Sequence, residues 1–413
     1  MDVQALVEPD RVHGSLYTDP AVFAAELERI WYRDWVFVAH DSELSEPGDY
    51  VTRTIGRQPV IVTRSEDGAI HVLLNRCSHR ANLLCQAEKG SAHAFRCPYH
   101  GWTFTNTGEL VGVPFPQGYG DLPPRRELAL ARAPRVDSHR GFVFASLAAD
   151  GPTLKEHLGV AAEAFDRLAD LSPAGEIELT AGWLRHRVAA NWKMAVENQV
   201  DGYHPRFVHE SLFSAADYQI RELCSGNAAS LVRDLGGGHT ELDFRPEYRA
   251  VGEPFVWFGR ATEAKFPNYV AAMRARYGDE RSGQLLRDGP PHVMVFPNLF
   301  LAEMNILVIE PVGPAQTVQW QTTVLLKDAP EMNRRALRQT EGAMGPAGLL
   351  IPDDCEMMER NQVGLAAQQP EWLVLRRGMR REYTDADGAL ASNVTDETSQ
   401  RGIWRQYRRV MAA

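Results

Sequence analysis

Apolar and polar positions follow three successive textures along this chain. Over residues 17 to about 40 (YTDPAVFAAELERIWYRDWVFVAH), Phe23, Leu27, Ile30 and Trp31 recur at helical spacing, and Asp19-Pro20 supplies an N-cap and a first turn; a helix is predicted. From Val36 to about Leu147 the pattern shortens. The β-branched runs YVTRTI, PVIVTR, AIHVLLN and GFVFASL are separated by the turn signals SEPGD, EDG and NTGE, which predicts an all-β segment of short strands. VGVPFPQGYGDLPP reads as a loop. Beyond Asp150 the textures mix. LKEHLGVAAEAFDRLADL reads as a helix closed by SPAG, EIELTAGWLRHRVAA as a strand pair or one long strand, and Asn191 to about His209 as a helix opening. HVMVFPNLFLAEMNILVIEPV and TVQWQTTVLL supply further strands. EMNRRALRQTEGAM, DDCEMMERNQVGLAAQ and the closing SQRGIWRQYRRVM read as helices. Gly236-Gly237-Gly238 reads as a mobile loop. The pattern therefore predicts an α+β chain cut near residue 150, with a small β domain inserted after an N-terminal helix and a larger α+β domain behind it.

Composition narrows the function. With 413 residues, two or three domains are expected, and 44% hydrophobic with 24% charged residues excludes a disordered or fibrous chain. Lys plus Arg is 44 and Asp plus Glu is 54, a net charge of −10, which argues against a phosphate-backbone partner. No apolar run approaches the roughly 18 residues of a membrane span. The start, MDVQALVEPDRVHG, carries Asp2 and Glu8 where a secretory signal needs a basic end and an apolar stretch, so a cytoplasmic location is expected. Five cysteines (Cys77, Cys85, Cys97, Cys224 and Cys355) are too sparse and odd in number for a disulfide framework.

Two constellations carry chemistry. The first reads Cys77-Ser78-His79, then 17 residues, then Cys97-Pro98-Tyr99-His100. Two loops that each bring one thiolate and one imidazole can converge on one centre. Soft thiolates suit ferric iron bridged by sulfide, and two neutral imidazoles on one iron raise the reduction potential. Zinc sites with this inventory usually run a cysteine pair and then a histidine pair, which is not the order here. Cys85 lies outside the pattern and reads as a small buried thiol. The second constellation, NWKMAVENQVDGYHPRFVH, contains Asp201, His204 and His209. Two histidines and a distant carboxylate form the ligand set of non-haem ferrous oxygenases. On an unbroken helix, residues five apart point about 140° away from each other, so a bend at Pro205 is required to bring His209 back toward His204. Asp201, three positions before His204, falls on the same helical face, and its carboxylate has room for two donors. In GPAGLLIPDDCEMMERNQ the acids Asp353 and Asp354 follow an apolar run, a pattern that also marks a helix N-cap, Asp353 being the cap candidate.

CSHR…CPYHGWTF resembles the cluster motif of Rieske proteins. The order of motifs over essentially the whole chain resembles the large (alpha) subunit of Rieske non-haem iron aromatic-ring-hydroxylating oxygenases. The resemblance implies a [2Fe-2S] cluster with Cys77 and Cys97 on one iron and His79 and His100 on the other, Trp102 beside it and Arg80 nearby. It implies a mononuclear Fe(II) held by His204, His209 and the second acid, Asp354, with O2 as co-substrate. It makes Asp201 a bridge that accepts from His204 and from His100 of a neighbouring subunit, hence a ring of subunits, most simply a homotrimer. Asn198 sits where relatives carry an asparagine facing the open side of the iron, although two residues separate it from Asp201 where some relatives have three. The implied domains are an N-terminal helical segment over 1–40, a small all-β Rieske domain over 41–150 and a helix-grip catalytic domain over 151–413.

No G-x-G-x-x-G follows a strand, so no NAD site is expected on this chain, and electrons should come from a separate reductase, directly or through a ferredoxin. The implied reaction is mono- or cis-dihydroxylation of a small aromatic substrate, with oxidative O-demethylation as an alternative chemistry. A small beta subunit is compatible with this scheme. The strand region LFLAEMNILVIEPV holds Glu303 and Glu310 and no basic residue, which weighs against an anionic substrate. Phe207, Phe213, Leu301, Met304 and Ile351 are candidate pocket walls. Two other readings compete. In a non-enzymatic Rieske electron-transfer protein with a hydrophobic-ligand-binding domain, Asp201, His204, His209 and Asp354 would not converge. A zinc-stabilised binding module would be colourless, whereas a Rieske protein is red-brown.

Overall fold

The computed structural model describes residues 3–215, 223–259 and 261–412, apart from the side chains of Phe213 and Ala215. The chain forms two compact units: Trp31–Leu154, and a second composed of Met1–Ile30 with Lys155–Ala413.

The unit Trp31–Leu154 is built from three antiparallel sheets. Gln58–Arg64 lies between Ile70–Leu74 and Asp49–Ile55, which in turn pairs with Lys89–Ser91. Thr103–Thr105 is central to a second sheet, between Leu110–Gly112 and Ala94–Arg96. Phe142–Ser146 is central to the third, between Arg135–His139 and Val36–His40. The helix expected over residues 17 to about 40 is shorter. Asp19 caps Pro20–Glu26 by accepting from the Ala21 N–H, a wider turn continues through Trp31, and Val36–His40 is a wholly buried strand. Val36, Phe37 and Val38 favour an extended backbone, and here the strand pairing wins over helical continuation.

The second unit holds a nine-stranded antiparallel sheet in the order Leu184–Val188, Gln316–Thr323, Asn305–Gly313, Leu299–Ala302, His292–Val295, His239–Asp243, Leu231–Gly236, Leu390–Asn393, Tyr383–Thr384. The closing helix Thr398–Val410 packs on Leu231–Gly236 and His239–Asp243. EIELTAGWLRHRVAA resolves into two strands in different sheets, Ile177–Glu178 and Leu184–Val188. The glycine triplet is not a mobile loop. Gly236 pairs with His239, and Gly237 and Gly238 form a two-residue hairpin turn with φ of +63° and +84°. Both central positions of that turn need positive φ, which glycine adopts without steric cost. Among the described residues no helix is long and apolar enough to cross a membrane.

Candidate functional site

The two cysteine loops share one backbone design. The Cys77 carbonyl accepts from the Ala81 N–H (2.9 Å) and the Cys77 N–H donates to Asn82 O (2.9 Å). Twenty residues on, the Cys97 carbonyl accepts from the Gly101 N–H (3.0 Å) and the Cys97 N–H donates to Trp102 O (2.7 Å). The fifth residue of each loop has positive φ, +59° at Ala81 and +72° at Gly101. A side chain in that region costs roughly 1–2 kcal/mol, so the hydrogen bonds hold Ala81 against strain. Both thiols are buried at 2% exposure in an apolar core with Phe95, Trp102 and Phe104, while His79 and His100 are half-buried. Burial pushes the Cys77 thiol up, against the main-chain N–H groups of His79 and Arg80, which favour its thiolate. The His79 and His100 rings lie 4.7 Å apart, and His79 stacks on the Trp102 indole at 4.8 Å and 6°. Buried Nδ1 of His79 has no hydrogen-bond partner among the described residues. Two soft sulfur donors inside, two imidazoles outside and a ring nitrogen left without a partner fit a [2Fe-2S] group with two imidazoles on the outer iron. Cys85 lies in the same core with its thiol pushed up to about 11 by burial, an ordinary buried cysteine, and Arg80 is exposed.

The histidine pair of the second unit converges by a route different from the one expected. The helix Trp192–Asn198, capped by Asn191, ends before Asp201. Asp201 and His204 therefore share no helical face. A turn closed by the Tyr203 N–H on Asp201 Oδ1 (2.7 Å) places Asp201 Oδ2 3.6 Å from His204 Nδ1. Pro205 does not bend a helix; it opens a new one-turn helix, Pro205–Val208, with His204 as its N-cap and His209, at φ −97° and ψ 32°, just past its end. The two rings flank that single turn at 5.3 Å. Gly202 is required in the turn, since a Cβ there would meet Val394 O at 2.4 Å.

Asp354 comes from the first turn of Ile351–Gly364. Its Oδ1 lies 3.2 Å from Nε2 of His204, 3.2 Å from Nε2 of His209 and 3.2 Å from Nδ2 of Asn198. One ligand atom from each of His204, His209 and Asp354 falls within 4.8 Å of the others, and Asp354 is 3% exposed. Asp353 is not the N-cap; Leu350 occupies that position without a side-chain bond, and Asp353 Oδ2 instead lies 3.8 Å from His209 Nδ1. Each imidazole thus has Asp354 at one nitrogen and a further acid beside the other, which fixes ring orientation. Burial opposes the charge on this cluster. The carboxylates of Asp201 and Asp354 nonetheless hold the His204 pKa up to about 10, and the two histidines hold Asp354 down to about 2. Two imidazoles and one carboxylate with space beside them fit an open non-haem iron centre.

A buried polar network, missed in the sequence, anchors the helix before this turn. Lys193 pairs with Glu26 at 2.5 Å, and Glu26 also accepts from Trp192 and Tyr407. Glu197 accepts from Tyr17 and Trp404; burial lifts its pKa to about 7 against those two bonds.

Beside the histidines opens a cavity of about 720 Å³ that Asn198, Asp201 and Ile351 help to line. Leu301 and Met304 are buried elsewhere: in Leu299–Ala302 the side chains alternate, and it is Phe300 and Ala302 that face the cavity. Phe207 is 67% exposed and off the wall, and the Phe213 side chain lies outside the described ones. Arg334, Arg335 and Arg338 reach the wall from Pro330–Gln339, basic groups that the strand region alone did not reveal.

Comparison with known proteins agrees with this geometry. Residues 34–126 match the Rieske [2Fe-2S] domain, and residues 169–413 match the ring hydroxylating alpha subunit catalytic domain. The chain is 31% identical to the 2-halobenzoate 1,2-dioxygenase large subunit of Burkholderia cepacia, over 89% of this chain and 80% of that one. It is also 31% identical to the large oxygenase component of the naphthalene 1,2-dioxygenase system of a Ralstonia species, over 97% and 91%. A solved naphthalene 1,2-dioxygenase with indole bound in its active site superposes with a TM-score of 0.85 at 29% identity, covering 100% of this chain and 95% of that one. The chain belongs to the Rieske non-haem iron ring-hydroxylating oxygenases as a large (alpha) subunit, the terminal oxygenase component that carries a [2Fe-2S] cluster and a mononuclear iron using O2.

Proposed function

We propose that Cys77, Cys97, His79 and His100 hold the cluster, that His204, His209 and Asp354 hold the mononuclear Fe(II), and that Asp201 connects the two centres between subunits. Bound there, the cluster supplies single electrons and the ferrous ion supplies the site of dioxygen activation. Asp201 keeps one carboxylate oxygen on the Tyr203 N–H and the other beside His204, and its side chain is 31% exposed, so a further donor can reach it. That donor is the partner subunit's His100, which makes a homotrimer the simplest assembly. Asn198 steadies Asp354 through its Nδ2–H, and its place on the cavity wall puts it beside the substrate. In this reading the unit Trp31–Leu154 is the Rieske domain and Met1–Ile30 with Lys155–Ala413 the catalytic one, so the boundary expected at residue 40 falls before the strand Val36–His40, and a separate cytoplasmic reductase or ferredoxin delivers electrons. The substrate is a small arene, and cis-dihydroxylation is the product class favoured by relatives named as 1,2-dioxygenases.

The single observation that carries this reading is the meeting of His204, His209 and Asp354 on one carboxylate oxygen beside a cavity of about 720 Å³. Asp354→Ala should lose the mononuclear iron while the cluster absorption persists, and product formation from a panel of aromatic acids, amines and hydrocarbons should cease. Retention of that iron by the variant would overturn the ligand assignment.

A further inference from the structure

Two acceptors on the cavity wall have no partner among the described residues. Nε2 of His292 lies 3.2 Å from the carbonyl oxygen of Gln199. A carbonyl only accepts, so Nε2 carries the proton. Burial lowers the ring's pKa to about 4, so the imidazole is neutral and Nδ1 bears a lone pair. That Nδ1 is buried without a hydrogen bond to any described residue, and the ring is clamped edge-on by Phe300 (4.8 Å) and Phe244 (5.4 Å). Glu303 is its neighbour on the same hairpin. Ala302 is the register partner of His292, and Glu303 follows it, its N–H donating to Pro291 O at 3.0 Å. The backbone of Glu303 is held at φ +57°, and its carboxylate makes no hydrogen bond or ion pair with any described residue. Burial alone lifts its pKa to about 7. Both residues line the cavity that holds Asp201 and His204.

We propose that Glu303 and Nδ1 of His292 form an acceptor subsite that selects arenes carrying a hydrogen-bond-donating nitrogen, such as a primary arylamine, over hydrocarbons of the same shape. Two acceptors call for two hydrogens on one group. A primary amine offers both, a hydroxyl one, and a methyl group none. A hydrocarbon in the same place leaves both acceptors desolvated and unpaired. The inference rests on the cavity being the arene pocket. Glu303 and His292 are specificity residues, not ligands of the metal.

The test pairs aniline with toluene, which differ by an amino group against a methyl group. Anaerobic calorimetry on the iron-loaded protein gives the binding ratio, and turnover of an equal mixture with a generic reductase gives the kcat/KM ratio. The wild-type protein should favour aniline by about 10- to 100-fold in both. Glu303→Leu should bring the ratio toward one through KM, with iron and cluster content unchanged. Glu303→Gln, which keeps one acceptor oxygen, should fall between and serves alone if the leucine variant does not fold. A wild-type binding ratio near one, or a ratio untouched by both substitutions, overturns the subsite. If neither arene is oxidised, the proposed reaction has failed, while the binding ratio still decides the subsite.

Discussion

His204 shows how a metal site is prepared before metal arrives. Burial disfavours its cation, but Asp201 and Asp354 outweigh burial and hold the pKa to about 10, above the ordinary 6.5. In the metal-free protein that pairing stabilises the fold fully below pH 6.5 and is lost as pH rises through about 10. Asp354, lowered from 3.8 to about 2, contributes above 3.8 and is lost as pH falls through about 2. Fe(II) must therefore displace a proton from His204. Its apparent affinity should rise about tenfold per pH unit from 6.5 to 8, checked by chelator competition; a flat profile would contradict the pairing. The residues of this site were legible in the sequence because their side chains have few other uses in such spacing. His204, His209 and Asp354 meet, Asp354 being the acid that the family resemblance picked from the Asp353–Asp354 pair. Glu303 and His292 were not legible as a pair, because only the register of one hairpin makes them neighbours. Asp353 was read as a cap because the helix start alone allows it; its approach to His209 depends on tertiary packing.

Elements explain why the expected geometry was right and its cause was not. The sequence pattern suggested one helix bent at Pro205, whereas the chain ends one helix at Asn198 and starts another at Pro205. The intervening turn is possible because Gly202 lets the backbone pass against Val394 O. Gly202→Ala forces a shift there. We expect a loss of about 1–3 kcal/mol of stability, seen as a lowered Tm, together with weaker iron retention. An unchanged Tm with full iron would show that the close approach does not set the turn. The helix Pro267–Asp288 escaped the pattern for a related reason: Gly278, at φ +75°, breaks its periodicity. The Glu26–Lys193 pair escaped because charged residues are rarely buried, and nothing local marks two that are.

At the scale of the molecule, the α+β class follows from texture alone: short alternating strands first, then strands mixed with amphipathic helices. The strand order of the nine-stranded sheet does not, since its neighbours come from segments up to about 160 residues apart, such as Leu231–Gly236 beside Leu390–Asn393. The central claim is that electrons pass from one subunit's cluster to the next subunit's iron through Asp201. Co-assembly tests it. Asp201→Asn retains a cluster but lacks the bridge, and His100→Ala lacks an intact cluster but retains the bridge, so each alone should be inactive. Trimers carrying both, isolated through two different affinity tags, should recover about a third of wild-type product formation, because one of the three interfaces in every mixed trimer joins an intact cluster to an intact bridge. Mixed oligomers no more active than either variant alone would contradict the relay.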